Sequence, residues 1–536
     1  MVGLAIPIEA QWFHDVSKEV GIDFEHDDGR SGEKYYVETT ASGGGFLDID
    51  NDGDLDLYLV NGAPTPGSNE AVSRPKNVLY RNQDGRFVEI AEQAGVADMA
   101  YGMGLCSGDV DADGKLDFLV TNHGPDRLYR NLGDGRFEEI AAQAGVAGNA
   151  WSLSCALGDV DGDGDLDLYV THYLDFRYET NPRCIDKTRN QRIYCQPEDF
   201  AGVSDALFIN QGAGTFREEG ETRGLAQGLT EKGMGVVMSD LDLDGDLDIY
   251  VANDGALNRL YVNDGKGHFE DQALLSGAGL NALGHAEAGM GIAIGDVSGD
   301  LRPDLVISHF ALETNTYYRN LGGLQFEDET SRIGIGPPSY KYVGWGIVLF
   351  DFDNDGDLDL ALANGHMQEG VEEMEPGLRY RQPNQLLENR DGRFVDVSEQ
   401  AGPAFTEPQV SRGLAVGDWN NDGRLDLLVT NTNAPAQLLE NRRETDRHWL
   451  GLELEGPPAN PFSVGARVDL RAGSKRLQRV VTSGGSFMSQ SDLRLHFGLG
   501  ALSGLVEVEI HWPDGTKQKE TITELDRYQR IAKRKP

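Results

Sequence analysis

The stretch DVDGDGDLDLYVTH, residues 159–172, decides the architecture. Its first nine residues carry aspartate at positions one, three, five, seven and nine and glycine at six, and a short apolar run follows. Apolar runs of this length, bounded by turn signals and rich in Val, Leu and Tyr, read as strands. The Asp cluster is therefore a loop between two strands.

The pattern DxDxDGxxD recurs with substitutions seven times between residues 48 and 426. Its oxygen-bearing and variable positions are Asp48, Asp50, Asp52, Asp54 and Asp56, then Asp109, Asp111, Asp113, Lys115 and Asp117, then Asp159, Asp161, Asp163, Asp165 and Asp167. The fourth copy has Asp240, Asp242, Asp244, Asp246 and Asp248, and the fifth Asp296, Ser298, Asp300, Arg302 and Asp304. The sixth has Asp351, Asp353, Asp355, Asp357 and Asp359, and the seventh Asp418, Asn420, Asp422, Arg424 and Asp426. After each second strand comes another recurring stretch, such as LYRNQDGRF and LYVNDGKGHF, whose Asn and Gly residues make a hairpin turn between a third and a fourth strand. Four strands per unit make a propeller blade.

The seventh copy ends at LLENRRETD without its Phe-containing strand, while WFHDVSKEVGI at 12–22 matches FVDVSEQAG, with Phe13 where other copies have Phe87, Phe137 or Phe394. The N-terminal segment is expected to supply the missing outer strand and leave no open edge. The fold expected is all-β: a seven-bladed propeller over 12–442, with an insertion at 172–205, and a small antiparallel β-domain over 446–535. The second domain is read from the alternation of Val506, Val508, Ile510 and Trp512 ahead of a Pro-Asp-Gly turn.

A hard cation takes six to eight oxygen ligands, and alternating aspartates on a tight loop offer carboxylates at positions one, three, five and nine. Glycine at six permits the turn, and position seven lends a backbone carbonyl, so its side chain varies to Lys115, Arg302 and Arg424. Leu59 at position twelve, with strands on both sides, excludes an EF-hand. Several calcium ions, up to seven, are expected. The fifth site is the weakest, because Ser298 and Leu301 replace an Asp and the Gly.

The formal net charge of -42 leaves no basic stripe for a nucleic-acid backbone. No uninterrupted apolar run is long enough to span a bilayer as a helix. Cys184 and Cys195, in one polar stretch, are expected to form a loop-closing disulfide in an oxidising compartment. Cys106 and Cys155 read as buried free thiols. The N-terminal MVGLAIPIEAQWF lacks a positive region and a full apolar core, so a leader is expected to have been removed and the protein to be secreted, periplasmic or at the cell surface.

The repeats resemble the FG-GAP or VCBS-type propeller repeats of integrin α-subunits and of cartilage acidic protein. HWLGLELEG, NPFSVGARVDLRAG, QRVVTSGGSFMSQSDLRLHFGLG and VEVEIHWPDGTKQ resemble the ASPIC/UnbV domain. The resemblance implies extracellular or periplasmic placement and calcium binding, and it leaves room for an enzymatic role in secondary metabolism.

Five residues after each ninth motif position stand Asn61, Asn122, His172, Asn253, His309, Asn364 and Asn431, and beside them His123, Asp254 and His366. These are either strand-end caps that bond their own turns or a polar ring round the channel mouth, on the face opposite the Asp loops. The leading functional expectation is a calcium-stabilised binding, adhesion or scaffold protein that recognises a protein, glycan or small molecule on that face. The aromatic insertion 172–205 is its candidate specificity element. The alternative is an enzyme using His172, His309 or His366 with a nearby carboxylate as acid and base.

Overall fold

The computed structural model describes residues 11–68, 75–225, 231–502 and 504–534; residues 1–10, on which the leader reading rests, lie outside these. Seven sheets of four antiparallel strands follow one another along the chain, the first extended by a fifth, parallel strand from the C-terminal part. Their first strands are Gly44–Leu47, Tyr101–Gly108, Ser152–Gly158, Gly233–Ser239, Ile292–Gly295, Gly344–Phe350 and Ser411–Gly417. Each of these strands packs on the next, and the seventh packs back on the first, so the sheets close a ring as blades of a propeller. The last sheet takes its outer strand, Phe13–Asp15, from the N-terminus, with Phe13 opposite Asn441. Phe13 is buried against Phe405 at 5.5 Å between ring centroids.

Small residues are required where the inner strands meet. A Cβ at Gly104 would stand 2.4 Å from the Leu153 carbonyl oxygen, and one at Gly291 would stand 2.2 Å from that of Trp345. The Gly-Met-Gly and Gly-Trp-Gly runs therefore alternate backbone contact with large side chains. Met103, Met234, Met290 and Trp345 share one buried cluster.

A further device ties blade to blade. In every blade the position-nine aspartate accepts the backbone N–H of a third-strand asparagine, as Asp117 does from Asn131 at 2.7 Å. In six blades that asparagine's Nδ2 also donates to a carbonyl in the Asp loop of a neighbouring blade. Examples are Asn131 to Ile49 and Asn263 to Val160. In the sequence alone this Asn reads as a turn residue only.

The C-terminal domain has two sheets. Lys475–Val480, Arg467–Ala472, Val506–His511 and Lys517–Ile522 form an antiparallel sheet, and His448–Glu455 pairs antiparallel with Leu495–Gly500. Tyr528–Ala532 runs parallel to His448–Glu455, where only antiparallel pairing was expected; the last strand covers the edge that Leu495–Gly500 leaves free. Val506, Val508, Ile510 and Trp512 lie in the domain core, as their alternation requires.

This domain sits on the Asp-loop face. Arg494 donates to the carbonyls of Gly53 and Asp418, at 3.0 and 3.1 Å, and His496 Nε2 lies 3.1 Å from the carbonyl of Gly423. Residues 446–536 carry 14 Lys and Arg against 11 Asp and Glu, so the acid excess lies wholly in the propeller beneath. Its segment 483–491 enters the axis of the ring. Ser489–Gln490 pairs in parallel with Gly44–Gly45, Ser486 bridges to Ile292, and Phe487 and Met488 are fully buried among the axial methionines and Trp345.

Candidate metal centres and the opposite face

Each Asp loop folds on its own carboxylates. In five of the seven, the position-one aspartate accepts from the N–H groups of positions five and six. Asp351, for example, takes Asp355 at 3.0 Å and Gly356 at 2.7 Å. The position-five aspartate accepts the N–H of position seven in all seven loops. These bonds turn the side chains inward. Position four adopts a left-handed backbone throughout, from Asn51 to Asn421.

The inward oxygens crowd. Asp48, Asp50 and Asp56 bring one oxygen each within 4.8 Å of one another, as do Asp109, Asp111 and Asp117, Asp159, Asp161 and Asp167, and Asp240, Asp242 and Asp244. Burial, reinforced by neighbouring carboxylates, pushes Asp48, Asp109, Asp159 and Asp418 up to about 6 and Asp56, Asp117 and Asp167 up to about 8. Buried oxygens of Asp111, Asp161, Asp240 and Asp246 have no hydrogen-bond partner, whereas Asp353 is paired with Arg443 and Arg447. Crowded, desolvated and partly orphaned carboxylate oxygens are a donor set suited to a hard divalent cation.

The loops are not equivalent. Lys115, Arg302 and Arg424 fold back at position seven onto the position-five carboxylates of Asp113, Asp300 and Asp422. Asn420 Oδ1 accepts from Asp422 N–H at 3.1 Å. In the fifth loop Arg319 also reaches Asp300, at 3.3 Å, and Tyr317 donates to Asp304 at 2.9 Å. Leu301 there holds a left-handed φ of 67°, where six copies have glycine. No carboxylate oxygen of this loop is orphaned among the described residues; only Ser298 Oγ is.

On the opposite face the strand-end residues are brought to one side, but most are spent on their own turns. Asn61 Oδ1 accepts from Asp27 and Gly62, and Asn253 bonds Lys232 and Leu257. Asn122, Asn364 and Asn431 donate to Pro125, Pro383 and Pro435. His123 packs among Trp151, Phe176 and Tyr178, and Asp254 accepts from Tyr173 at 2.5 Å. The three histidines are separated by blade. His172 Nδ1 lies 2.7 Å from the Ser204 carbonyl. His309 is buried 3.9 Å from Glu287. His366 accepts from Gln368 N–H, and its pKa is pushed down to about 4 by burial and the nearby Arg412.

Two segments roof this face. Tyr36 and Val37 of the N-terminal segment and Tyr173, Phe176 and Tyr194 of the insertion join the axial cluster. The insertion crosses the ring: Tyr194 donates its hydroxyl to Glu38 and its N–H to Gln368. Cys184 and Cys195 are bonded, closing the hairpin of Ile185–Asp186 and Gln191–Arg192. A cavity of about 430 Å³ lies beside it, walled by Lys34, Arg189, Arg192 and Glu369.

Cys106 and Cys155, expected as free thiols, form a second disulfide between the inner strands of blades two and three. Side chains alternate along a strand. Cys106 stands three residues before its Asp loop and Cys155 four before its own, so one faces forward and the other back into the same interface.

Among known proteins, the FG-GAP-like repeat model matches residues 48–120, 109–170, 240–307 and 378–429, and the ASPIC and UnbV model matches 456–535. Cartilage acidic protein 1 of Mus musculus is 24% identical over 63% of this chain and 52% of its own length. That of Xenopus tropicalis is 25% identical over 54% and 43%. The chain thus spans about half the length of the curated relatives it matches. An Agrocybe aegerita lectin, solved for its recognition of non-reducing terminal N-acetylglucosamine, aligns at 16% identity and a TM-score of 0.39, covering 74% of this chain and 87% of its own. The chain carries FG-GAP-like repeats and a C-terminal ASPIC and UnbV domain, and is homologous to cartilage acidic protein 1 at moderate identity.

Proposed function

We propose that the protein is an extracellular binding scaffold whose propeller is held together by calcium and whose recognition surface is the roof opposite the Asp loops. The observation that carries the calcium reading is the set of buried carboxylate oxygens without partners in loops two, three and four. An orphaned buried carboxylate costs several kcal/mol, and a divalent ion at each loop removes that cost. The residues that would hold it are the aspartates at positions one, three, five and nine. When bound, the ion supplies charge neutralisation and fixes the loop.

Two disulfides that use all four cysteines support an oxidising compartment, and the homology to cartilage acidic protein 1 points the same way. No described helix is long and apolar enough to cross a membrane. The stapled insertion supports recognition on the roof. Its Arg189 and Arg192 line a cavity and pair with Asp186, Glu373 and Glu33, so a protein or sugar chain that offers both donors and acceptors is the chemistry this surface fits. The enzymatic alternative has less to work with, because His172, His309 and His366 lie on three different blades and are held in their own turns or buried.

Bound-metal analysis with thermal unfolding before and after chelation tests the reading. Several calcium ions per chain and a melting temperature at least about 10 °C lower after chelation are expected, since saturating a site at 1,000 times Kd contributes about 4 kcal/mol. An unchanged melt with no bound metal would sink it.

A further inference from the structure

The fourth Asp loop and the C-terminal domain enclose a cavity of about 440 Å³, within the size range of small-ligand sites. Its two walls lack partners in complementary ways. On the propeller wall, Asp240 Oδ1 and Asp246 Oδ1 are buried acceptors without a hydrogen bond. On the other wall, Trp512 is 3% exposed and its indole N–H has no acceptor, and the Nε–H of Arg467 makes no hydrogen bond, with Asp469 Oδ1 3.6 Å away. Arg467 is held in place, 3.4 Å from Asp240 and 3.0 Å from His511 Nδ1. The floor is left open by glycine: a Cβ at Gly245 would meet nothing within 4 Å.

The neighbouring loops differ. Loops one, six and seven receive the C-terminal domain directly on their carbonyls, through Arg494, Lys475 and His496. At the fourth loop the contact is through Arg467 to a carboxylate, and space remains.

Walls orphaned in both senses require a guest that donates and accepts. An organic anion satisfies only the donors. The lining carboxylates Asp159, Asp240, Asp244, Asp246 and Asp514 outnumber Arg467 and Lys517, so even with a divalent ion in the loop the cavity keeps a small negative charge and exerts no pull on an anion. A neutral polyhydroxyl compound fits. Adjacent sugar hydroxyls are oxygen ligands for a hard cation short of its six to eight, and they also accept from guanidinium and indole N–H groups.

We propose that this interdomain cavity is a saccharide site, in which one sugar residue sets a pair of hydroxyls on a cation held by the fourth loop and is gripped from the other wall by Arg467 and Trp512. The site rests on the calcium reading of the loop and is separate from the roof surface. Titration calorimetry on the full chain with calcium tests it. The probes are the methyl glycosides of mannose, galactose, glucose and fucose, which stand for a chain end, the free sugars, which stand for a solute, and malate as an anion.

One glycoside or sugar is expected to bind at one per chain and to be lost on chelation. Trp512→Phe, which keeps the ring and removes the N–H, should weaken it about tenfold, equivalent to one hydrogen bond, with the calcium count unchanged. Asp244→Asn, at position five of the loop, should abolish it and remove one calcium. The proposal is overturned by normal calcium uptake with no glycoside or sugar binding up to about 50 mM, where even millimolar sites saturate, by binding of malate alone, or by binding indifferent to both variants. Absence of calcium uptake would remove the calcium reading first, and this site with it.

Discussion

In six blades the backbone N–H of the residue five places after the loop's last aspartate, at or just beyond the end of the second strand, is taken by an Asx side chain from the loop that follows. Asn77, Asn258, Asn315 and Asn384 do this with an amide oxygen, and Asp126 and Asp205 with a carboxylate. Burial pushes Asp126 up to about 8 and Asp205 up to about 7, against the hydrogen bonds they accept. In the unfolded chain such groups titrate near pH ~4. The folded state therefore holds the extra proton between about pH 4 and 8, and stability falls as pH rises through that window. Asp126→Asn copies what four other blades use and removes this loss. Relative to the native chain the variant should gain about 1 kcal/mol per pH unit from pH 5 to 7 and match it near pH 4. Urea melts at several pH values check this, and a parallel pH profile would refute it. The strand-end Asn and His residues stood out in the sequence as a polar ring because their spacing is fixed. Their partners lie 4 to 33 residues further on, a variable offset that hides the pairing from any motif.

The Asp loop was legible as an element because its chemistry is local: the two-residue spacing of Asp and the glycine at six are the geometry itself. The differences between loops were less so, since they depend on side chains arriving from the third strand. In the fifth loop Arg302 and Arg319 neutralise Asp300, so calcium uptake should fall one short of seven there. Asp300→Asn should leave the bound-calcium count unchanged, whereas Asp244→Asn should lower it by one; metal analysis after gel filtration decides, and a loss from Asp300→Asn would restore the fifth site. The disulfide between Cys106 and Cys155 closes a separation of 49 residues. Its signal was present in the sequence, as cysteines one register apart in successive first strands, but it becomes readable only when those strands are neighbours. Replacing both with Ala should cost about 2 to 4 kcal/mol, measured by denaturant unfolding. A variant as stable as the native chain would show the crosslink to be dispensable.

At the scale of the molecule, the sequence divides into two domains that the structure joins along one axis. Repeat copies identify the blades, and alternation identifies the C-terminal strands. The joint itself lies in SGGSFMSQS, residues 483–491, which has neither helical nor strand period and gave no structural reading. Its content is physical: an apolar pair, Phe487 and Met488, flanked by small residues that fit between inner strands. Phe487 has no exposed surface and packs at a tilt against Trp345, a residue of the sixth blade, with ring centroids 5.2 Å apart. A C-terminal residue thus completes the propeller's axial core, while Arg467 and Arg494 bring positive charge to its acidic loops. If burial of this kind couples the domains, the full chain unfolds in a single calorimetric transition. Phe487→Ala should then lower that transition as a whole, by about 3 to 5 kcal/mol, the cost of emptying a buried aromatic site. Two transitions, with only the smaller one moved by Phe487→Ala, would mean that the propeller keeps its own core and that the inserted segment adds nothing to it.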